Sequence, residues 1–230
     1  MNKVIKVQGV TKIYNPTTIP VHALRGVDLE IEPGEFTALV GPSGSGKTTL
    51  LNTIGGLDTP TGGSIIISSQ DIAKLSDGEM IEFRKQNIGF VFQAYNLIPV
   101  LTAKENVEFI MLLQGKSEKE RDARVNELLK AVGLEEQIDR RPAQLSGGQQ
   151  QRVAVARALA SKPMFVLADE PTANLDSKST ANLLDIMAKL NQEENITFLF
   201  STHDQRVIDR ARRIVTLEDG QIISDETIAS

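Results

Sequence analysis

The stretch Phe36 to Thr48, FTALVGPSGSGKT, decides the fold. Its first five residues follow a Pro33-Gly34 turn and form a continuous apolar run, the pattern of a strand buried on both faces. The chain then passes through GPSGSGKT, Gly41 to Thr48, which has the spacing G-x-x-x-x-G-K-[ST]. A helix is expected from Lys47 to about Gly55. In such a strand–loop–helix unit, glycines let backbone N–H groups curl around phosphate oxygens without Cβ clashes. The helix aims about half a unit of positive charge at the same anion. Gly41, Pro42, Ser43, Gly44, Ser45, Gly46, Lys47, Thr48 and Thr49 therefore form the expected triphosphate cradle. Lys47 supplies a point charge to the β- and γ-phosphates, and the Thr48 hydroxyl is an expected Mg²⁺ ligand.

Downstream, FVLADEP (Phe165 to Pro171) is another apolar strand, and it ends in two carboxylates. An acid at that edge of a parallel strand faces the crevice where open α/β sheets bind ligands. Asp169 suits Mg²⁺, with water completing the shell, and Glu170 suits the polarisation of an attacking water. His203 follows the apolar strand TFLFS, and Gln93 follows IGFVF. Both arrive at the same edge. Taken singly, a lone histidine or glutamine there is as well read as structural.

A second stretch, LSGGQ (Leu145 to Gln149), precedes helical apolar spacing at Val153, Ala156, Leu159 and Ala160. Ser146 and Gln149 make an S-x-x-Q capping box, so Gly147 and Gly148 open a helix with exposed donors and a favourable dipole. Ser-Gly-Gly alone is equally the signature of a well-capped helix.

The rest of the chain sets the frame. Its 230 residues, 40% hydrophobic and 24% charged, suit one large domain with an inserted subdomain. A net charge of -5 argues against a general nucleic-acid surface. The absence of cysteine removes disulfides, Cys-rich zinc sites and thiol chemistry. The opening residues do not read as a secretory signal, and no apolar run reaches the ~18 residues of a membrane span. Strands are expected at VDLEIE (27–32), GGSIIISS and IGFVF. A capping box at Ser117/Glu120, an apolar face at Val125, Leu128, Leu129 and Val132, and a C-cap at Gly133 mark a helix. Residues from about 94 to 160 thus read as a helical insertion. The remaining segments, 1–93 and 161–230, form a nucleotide-binding core with a β-rich N-terminal part. A helix near 178–192 and a terminal hairpin, IVTLE-DG-QIIS, complete a mainly parallel α/β arrangement.

Taken in order, these motifs resemble the nucleotide-binding subunit of ATP-binding cassette (ABC) transporters, over nearly the whole chain. The resemblance implies a P-loop NTPase fold. It has a mainly parallel core sheet, an N-terminal antiparallel β subdomain and an inserted helical subdomain. It implies that Tyr14, in KIYN, stacks on adenine, and that Gln93 is the Q-loop residue that reaches Mg²⁺ or the water. Leu145 to Gln149 match the family signature, Asp169 and Glu170 the Walker B pair, Asp176 the D-loop, and His203 the switch histidine. It further implies a head-to-tail homodimer with two ATP molecules between the copies. Ser146, Gly147, Gly148, Gln149 and Asp176 would serve the partner's nucleotide. Hydrolysis would then use Glu170 as base, with His203, Lys47, Gln93 and Mg²⁺ around the γ-phosphate.

The segment FVFQAYNLIPVLTAKENVEF (Phe90 to Phe109) is similar to the lipoprotein-release and macrolide-export (LolD/MacB-like) sub-family. That likeness implies a separate membrane permease contacting Ala94 to Leu101. It places the protein in the cytoplasm, on the inner face of the membrane, with no insertion of its own. One departure is ENVEFIML, where relatives often carry a proline after the second acid. A soluble or regulatory ABC ATPase of the cell-division or repair type is the alternative. A P-loop small-molecule kinase is a weaker one, because the signature and His203 have no task there.

Overall fold

The computed structural model describes residues 3–228. The chain begins with β1 (Ile5–Tyr14) and β2 (Val21–Ile31), then enters β3 (Phe36–Val40), the glycine loop and α1 (Lys47–Ile54). β4 (Gly62–Ile67), β5 (Gln70–Asp71), α2 (Asp77–Asn87) and β6 (Ile88–Val91) follow. Three helices come next, α3 (Ala103–Leu113), α4 (Glu118–Ala131) and α5 (Gly147–Ala160). The last part runs β7 (Phe165–Asp169), α6 (Ser177–Glu194), β8 (Thr197–Ser201), α7 (Gln205–Ile208), β9 (Arg213–Glu218) and β10 (Gln221–Thr227).

Two sheets form, an antiparallel one in the order β2-β1-β4-β5 and a larger one in the order β10-β9-β3-β8-β7-β6. In the larger sheet β9, β3, β8, β7 and β6 run parallel, and only β10 is antiparallel. The unbroken apolar character of β3, β7 and β8 has a direct cause. Successive strand residues point to opposite faces, and here each face has its own core. Phe36, Val166, Ala168, Phe198 and Phe200 pack with α3 to α6. Leu39, Phe165, Leu167 and Leu199 pack with α1 and the antiparallel sheet.

Helix ends follow their local sequence. Ser117 and Glu120 close a capping box on α4, Val125, Leu128, Leu129 and Val132 are buried, and Gly133 takes φ 64 just beyond the end. The terminal hairpin turns through Asp219 (φ 45) and Gly220 (φ 77), the left-handed pair that matches strand twist in a tight turn.

Two features differ from the sequence expectation. β2 starts at Val21 rather than 27, because its first residues pair with Ile13 and Tyr14 of β1 across an irregular register. α2 was not expected at all. No residue of it is fully buried; a Ser76/Glu79 capping box closes its N-terminus, and only Met80 and Phe83 pack partly against the core, too short an apolar face from which to read a helical period.

Candidate functional site

The glycine loop lies where β3 meets α1, braced from behind. A Cβ at Gly41 would stand 2.0 Å from the Leu217 carbonyl, and one at Gly46 would stand 2.4 Å from the Ala23 carbonyl. Side chains at either position would push the loop off β9 and β2. Lys47 is buried, and its Nζ donates to the carbonyls of Gly41 (2.8 Å) and Pro42 (2.9 Å). Its charge is thus held inside the loop that a phosphate would enter. α1 also differs from every other described α-helix. Helices α2 to α7 each have a side chain capping the N-terminus, whereas α1 begins at Gly46 with no side-chain cap. Its first-turn N–H groups need an acceptor from outside the helix.

The parallel strands deliver the rest to the same edge. The Thr48 hydroxyl donates to Asp169 Oδ1 (3.1 Å), tying α1 to the end of β7. Glu170 turns back sharply at φ 47, and its amide donates to the Ser201 carbonyl at 2.9 Å. Its Oε1 lies 2.7 Å from His203 Nδ1. Its Oε2 is buried without a partner, an acceptor poised for a donor from the cleft. Gln93 accepts at its backbone carbonyl from Asn174 Nδ2 (3.0 Å), which fixes the loop after β6 to the loop after β7. The Tyr14 hydroxyl donates to Asp58 (2.6 Å), and Lys12 Nζ lies 4.9 Å from the centre of its ring. Burial, reinforced by the Asp58 hydrogen bond, raises the Tyr14 pKa above the ordinary phenol value.

Together these residues line a cleft of about 690 Å³ that contains Tyr14, Gly41 to Gly44, Gly46 to Thr49, Gln93, Glu170 and His203. A larger cleft of about 930 Å³ opens near the other ends of the same strands, around Lys3, Lys6, Arg212 and Arg213. Its cations are already engaged, Lys3 with Glu32, Lys6 with Glu30, and Arg213 with Glu35 and Asp225. Arg212 donates to Gly34 and Asn191. These cations are paired or hydrogen-bonded within the chain, whereas Lys47 of the smaller cleft faces only neutral carbonyls, which makes the smaller cleft the candidate phosphate site.

Ser146 lies elsewhere, beside a separate recess of about 250 Å³ that it lines with Gly148, Arg152, Lys178, Ser179 and Asn182. The capping box closes as expected: Ser146 Oγ accepts from the Gln149 amide (3.2 Å), and Gln149 accepts from the Ser146 amide (2.8 Å). The serine O–H stays free to donate outward. Asp176 caps α6, accepting from the amides of Lys178 and Ser179 and from the Ser179 hydroxyl at 2.7 Å. The Ser179 hydroxyl above all, with those amides, lowers the Asp176 pKa.

Several contributors escape sequence reading. Val21, His22, Ala23 and Ala173 also line the main cleft; the first three lie in the part of β2 that the alternation at 27–32 did not reach. Asp204 accepts from Thr172 (2.9 Å) and pairs with Arg206, latching the loops after β7 and β8. The Arg206 guanidinium, helped by the Arg206 amide and Thr172, holds its carboxyl down at about 2. Buried Asn106 binds the backbone of Ile98, Leu101 and Thr102. Within the segment 94–101, Leu97 packs partly against the core while Val100 is 72% exposed.

The donor set fits Mg²⁺. Thr48 and Asp169 present hard oxygen atoms side by side, and Mg²⁺ takes few protein ligands because it keeps waters and phosphate oxygens. Among the described residues no cluster of three or more His, Cys, Asp or Glu forms a dedicated metal cage. No described helix is long and apolar enough to cross a membrane.

Comparison with known proteins agrees with this geometry. Residues 24–173 match the family profile described as ABC transporter. A lipoprotein-releasing system ATP-binding protein, LolD 1 of Rhodopseudomonas palustris, is 48% identical over 96% of this chain and 99% of its own length. A macrolide export ATP-binding/permease protein, MacB of Brucella melitensis, is 44% identical over 97% of this chain, which spans only 34% of that protein. The solved dimeric structure of the ATP-binding cassette MJ0796, in a post-hydrolysis state bound to ADP and Pi, superposes with a TM-score of 0.90. It is 45% identical and covers 98% of this chain and 99% of that one. The motifs, their convergence on one strand edge and these likenesses lead to one conclusion: the chain belongs to the ABC transporter family, as an ATP-binding cassette of the transport ATPase type.

Proposed function

We propose that the chain binds MgATP in the cleft beneath Tyr14 and hydrolyses it to drive a membrane permease of the lipoprotein-release or macrolide-export kind. The observation that carries the chemistry is Glu170. One carboxylate oxygen is held by His203 and the other is buried and unpartnered, one residue beyond the Asp169 that bonds Thr48. In the reaction the oxygen of a water bonds to the γ-phosphorus and the bond to the ADP oxygen breaks. The proton of that water passes to Glu170 Oε2. Lys47 leaves its loop carbonyls for the β- and γ-phosphates, where it offsets the developing charge. Gln93 orients the water, and His203 holds both Glu170 and the phosphate. Mg²⁺ would be held by Thr48, Asp169 and Gln93 and would supply further charge neutralisation on the phosphate oxygens. Tyr14 stacks on the base.

A second copy completes the site. Ser146, Gly147, Gly148, Gln149 and Asp176 lie away from the chain's own cleft, and the related cassette is described as dimeric. We assign them to the partner's nucleotide, where they would neutralise γ-phosphate charge between two acidic subunits. ADP lacks that group, so hydrolysis loosens the pair. The exposed side of Ala94 to Leu101 is assigned to the permease, which places the ATPase on the cytoplasmic face of a membrane. Glu170→Gln should retain ATP binding, lower turnover by about 10²–10⁴ and accumulate an ATP-bound dimer. Steady-state phosphate release and sedimentation with MgATP test this; near-normal turnover would overturn the assignment.

A further inference from the structure

The two signature glycines each face a hydroxyl from elsewhere in the same subunit. A Cβ at Gly147 would stand 2.7 Å from Tyr95 Oη, and a Cβ at Gly148 would stand 2.8 Å from Ser179 Oγ. Neither φ is left-handed, so backbone conformation does not demand glycine at either position. Close packing does.

One hydroxyl comes from the loop after β6 and the other from the first turn of α6, just past the loop after β7. Tyr95 lies two residues after Gln93, and its hydroxyl points to the Asn174 carbonyl at 3.5 Å. Asn174 in turn holds the Gln93 carbonyl. Ser179 donates to Asp176, two residues beyond Asn174. α5 grips the same loops further along. Arg157 donates to the Tyr95 and Asn96 carbonyls. The carboxamide of the buried Gln151 donates to the carbonyl of Phe92 (3.3 Å) and of Pro171 (2.8 Å), the residues just before Gln93 and just after Glu170.

We propose that Tyr95 and Ser179 are positioning residues for the cradle at 146–148, each filling the space beside one glycine so that the cradle moves with the loops carrying Gln93 and Asp176. The cradle offered to the partner's ATP is then registered to the state of the subunit's own cleft. The inference rests on the proposed pairing, and it adds residues to which no role in that pairing was assigned above.

The test is a double-substitution cycle in the Glu170→Gln background, reading the dimer dissociation constant by sedimentation with MgATP. Monomer ATP affinity is measured alongside with a fluorescent nucleotide; the P-loop is untouched, so every variant should stay within about twofold. Gly147→Ala should weaken pairing by about tenfold or more, Tyr95→Phe alone by less than about threefold, and the combination should regain most of the loss. The extra methyl then occupies the space the phenol oxygen vacated. Gly148→Ala with Ser179→Gly should couple in the same sense. If Gly147→Ala pairs normally, or if Tyr95→Phe gives it no relief, Tyr95 does not position the cradle. If the Glu170→Gln parent itself stays monomeric with MgATP, the pairing reading fails first, and the two failures are told apart.

Discussion

Glu170 holds a left-handed backbone, φ 47, which is uncommon for a residue with a Cβ. The turn detaches its carboxylate from the strand direction that Asp169 follows, so adjacent acids serve different partners. Asp169 meets Thr48 and Glu170 meets His203. Lys47 shows the same division of labour. Its ammonium is buried in the loop and bonded only to carbonyl oxygens, neutral acceptors that a triphosphate outcompetes. Lys47→Ala should therefore lower ATP affinity by about tenfold to a hundredfold, on the scale of a lost hydrogen bond to a charged group. A nucleotide titration checks this, and thermal stability should change little.

Elements here are defined chiefly by their ends. α4 is mostly polar, and its Ser117/Glu120 box satisfies donors that the helix cannot. Ser117→Ala should cost about 1 kcal/mol of unfolding free energy, measured by denaturant titration, with ATP turnover unaffected because α4 touches neither cleft. α1 makes the opposite choice by leaving its N-terminus uncapped. A capping side chain there would stabilise the helix and occupy the place of the phosphate. The signature helix α5 lies between these cases, since its box engages the Gln149 amide while the serine proton remains available.

At the scale of the molecule, the parallel sheet separates two cores and keeps its edge open for the cleft. Phe200 is fully buried, with its ring centre 4.5 Å from that of Phe36 and 5.6 Å from that of Phe198. Phe200→Ala should destabilise the fold by about 3–5 kcal/mol, read from urea unfolding without nucleotide. A loss below about 1 kcal/mol would mean that the site collapses around the cavity. The same sheet makes the site sensitive to its strands, because Asp169, Glu170 and His203 hang from the ends of β7 and β8 rather than from a shared loop.

Sequence alone determined what local rules govern. The glycine loop, the buried strands, the boxes at Ser117 and Ser146, and the Asp219-Gly220 turn depend on residues a few positions apart, where spacing fixes geometry. It missed α2, whose two partly buried core contacts, Met80 and Phe83, are too few to show a period, and the first part of β2, whose pairing with β1 is irregular. Tertiary structure decided everything that joins distant residues. Glu170 meets His203 across 33 positions and Thr48 meets Asp169 across 121, and Tyr95 fills the space beside Gly147. Such contacts depend on strand order and helix packing, which no motif spacing encodes. The chemistry is therefore written along the chain, but the distances at which it operates are set only when the sheet closes.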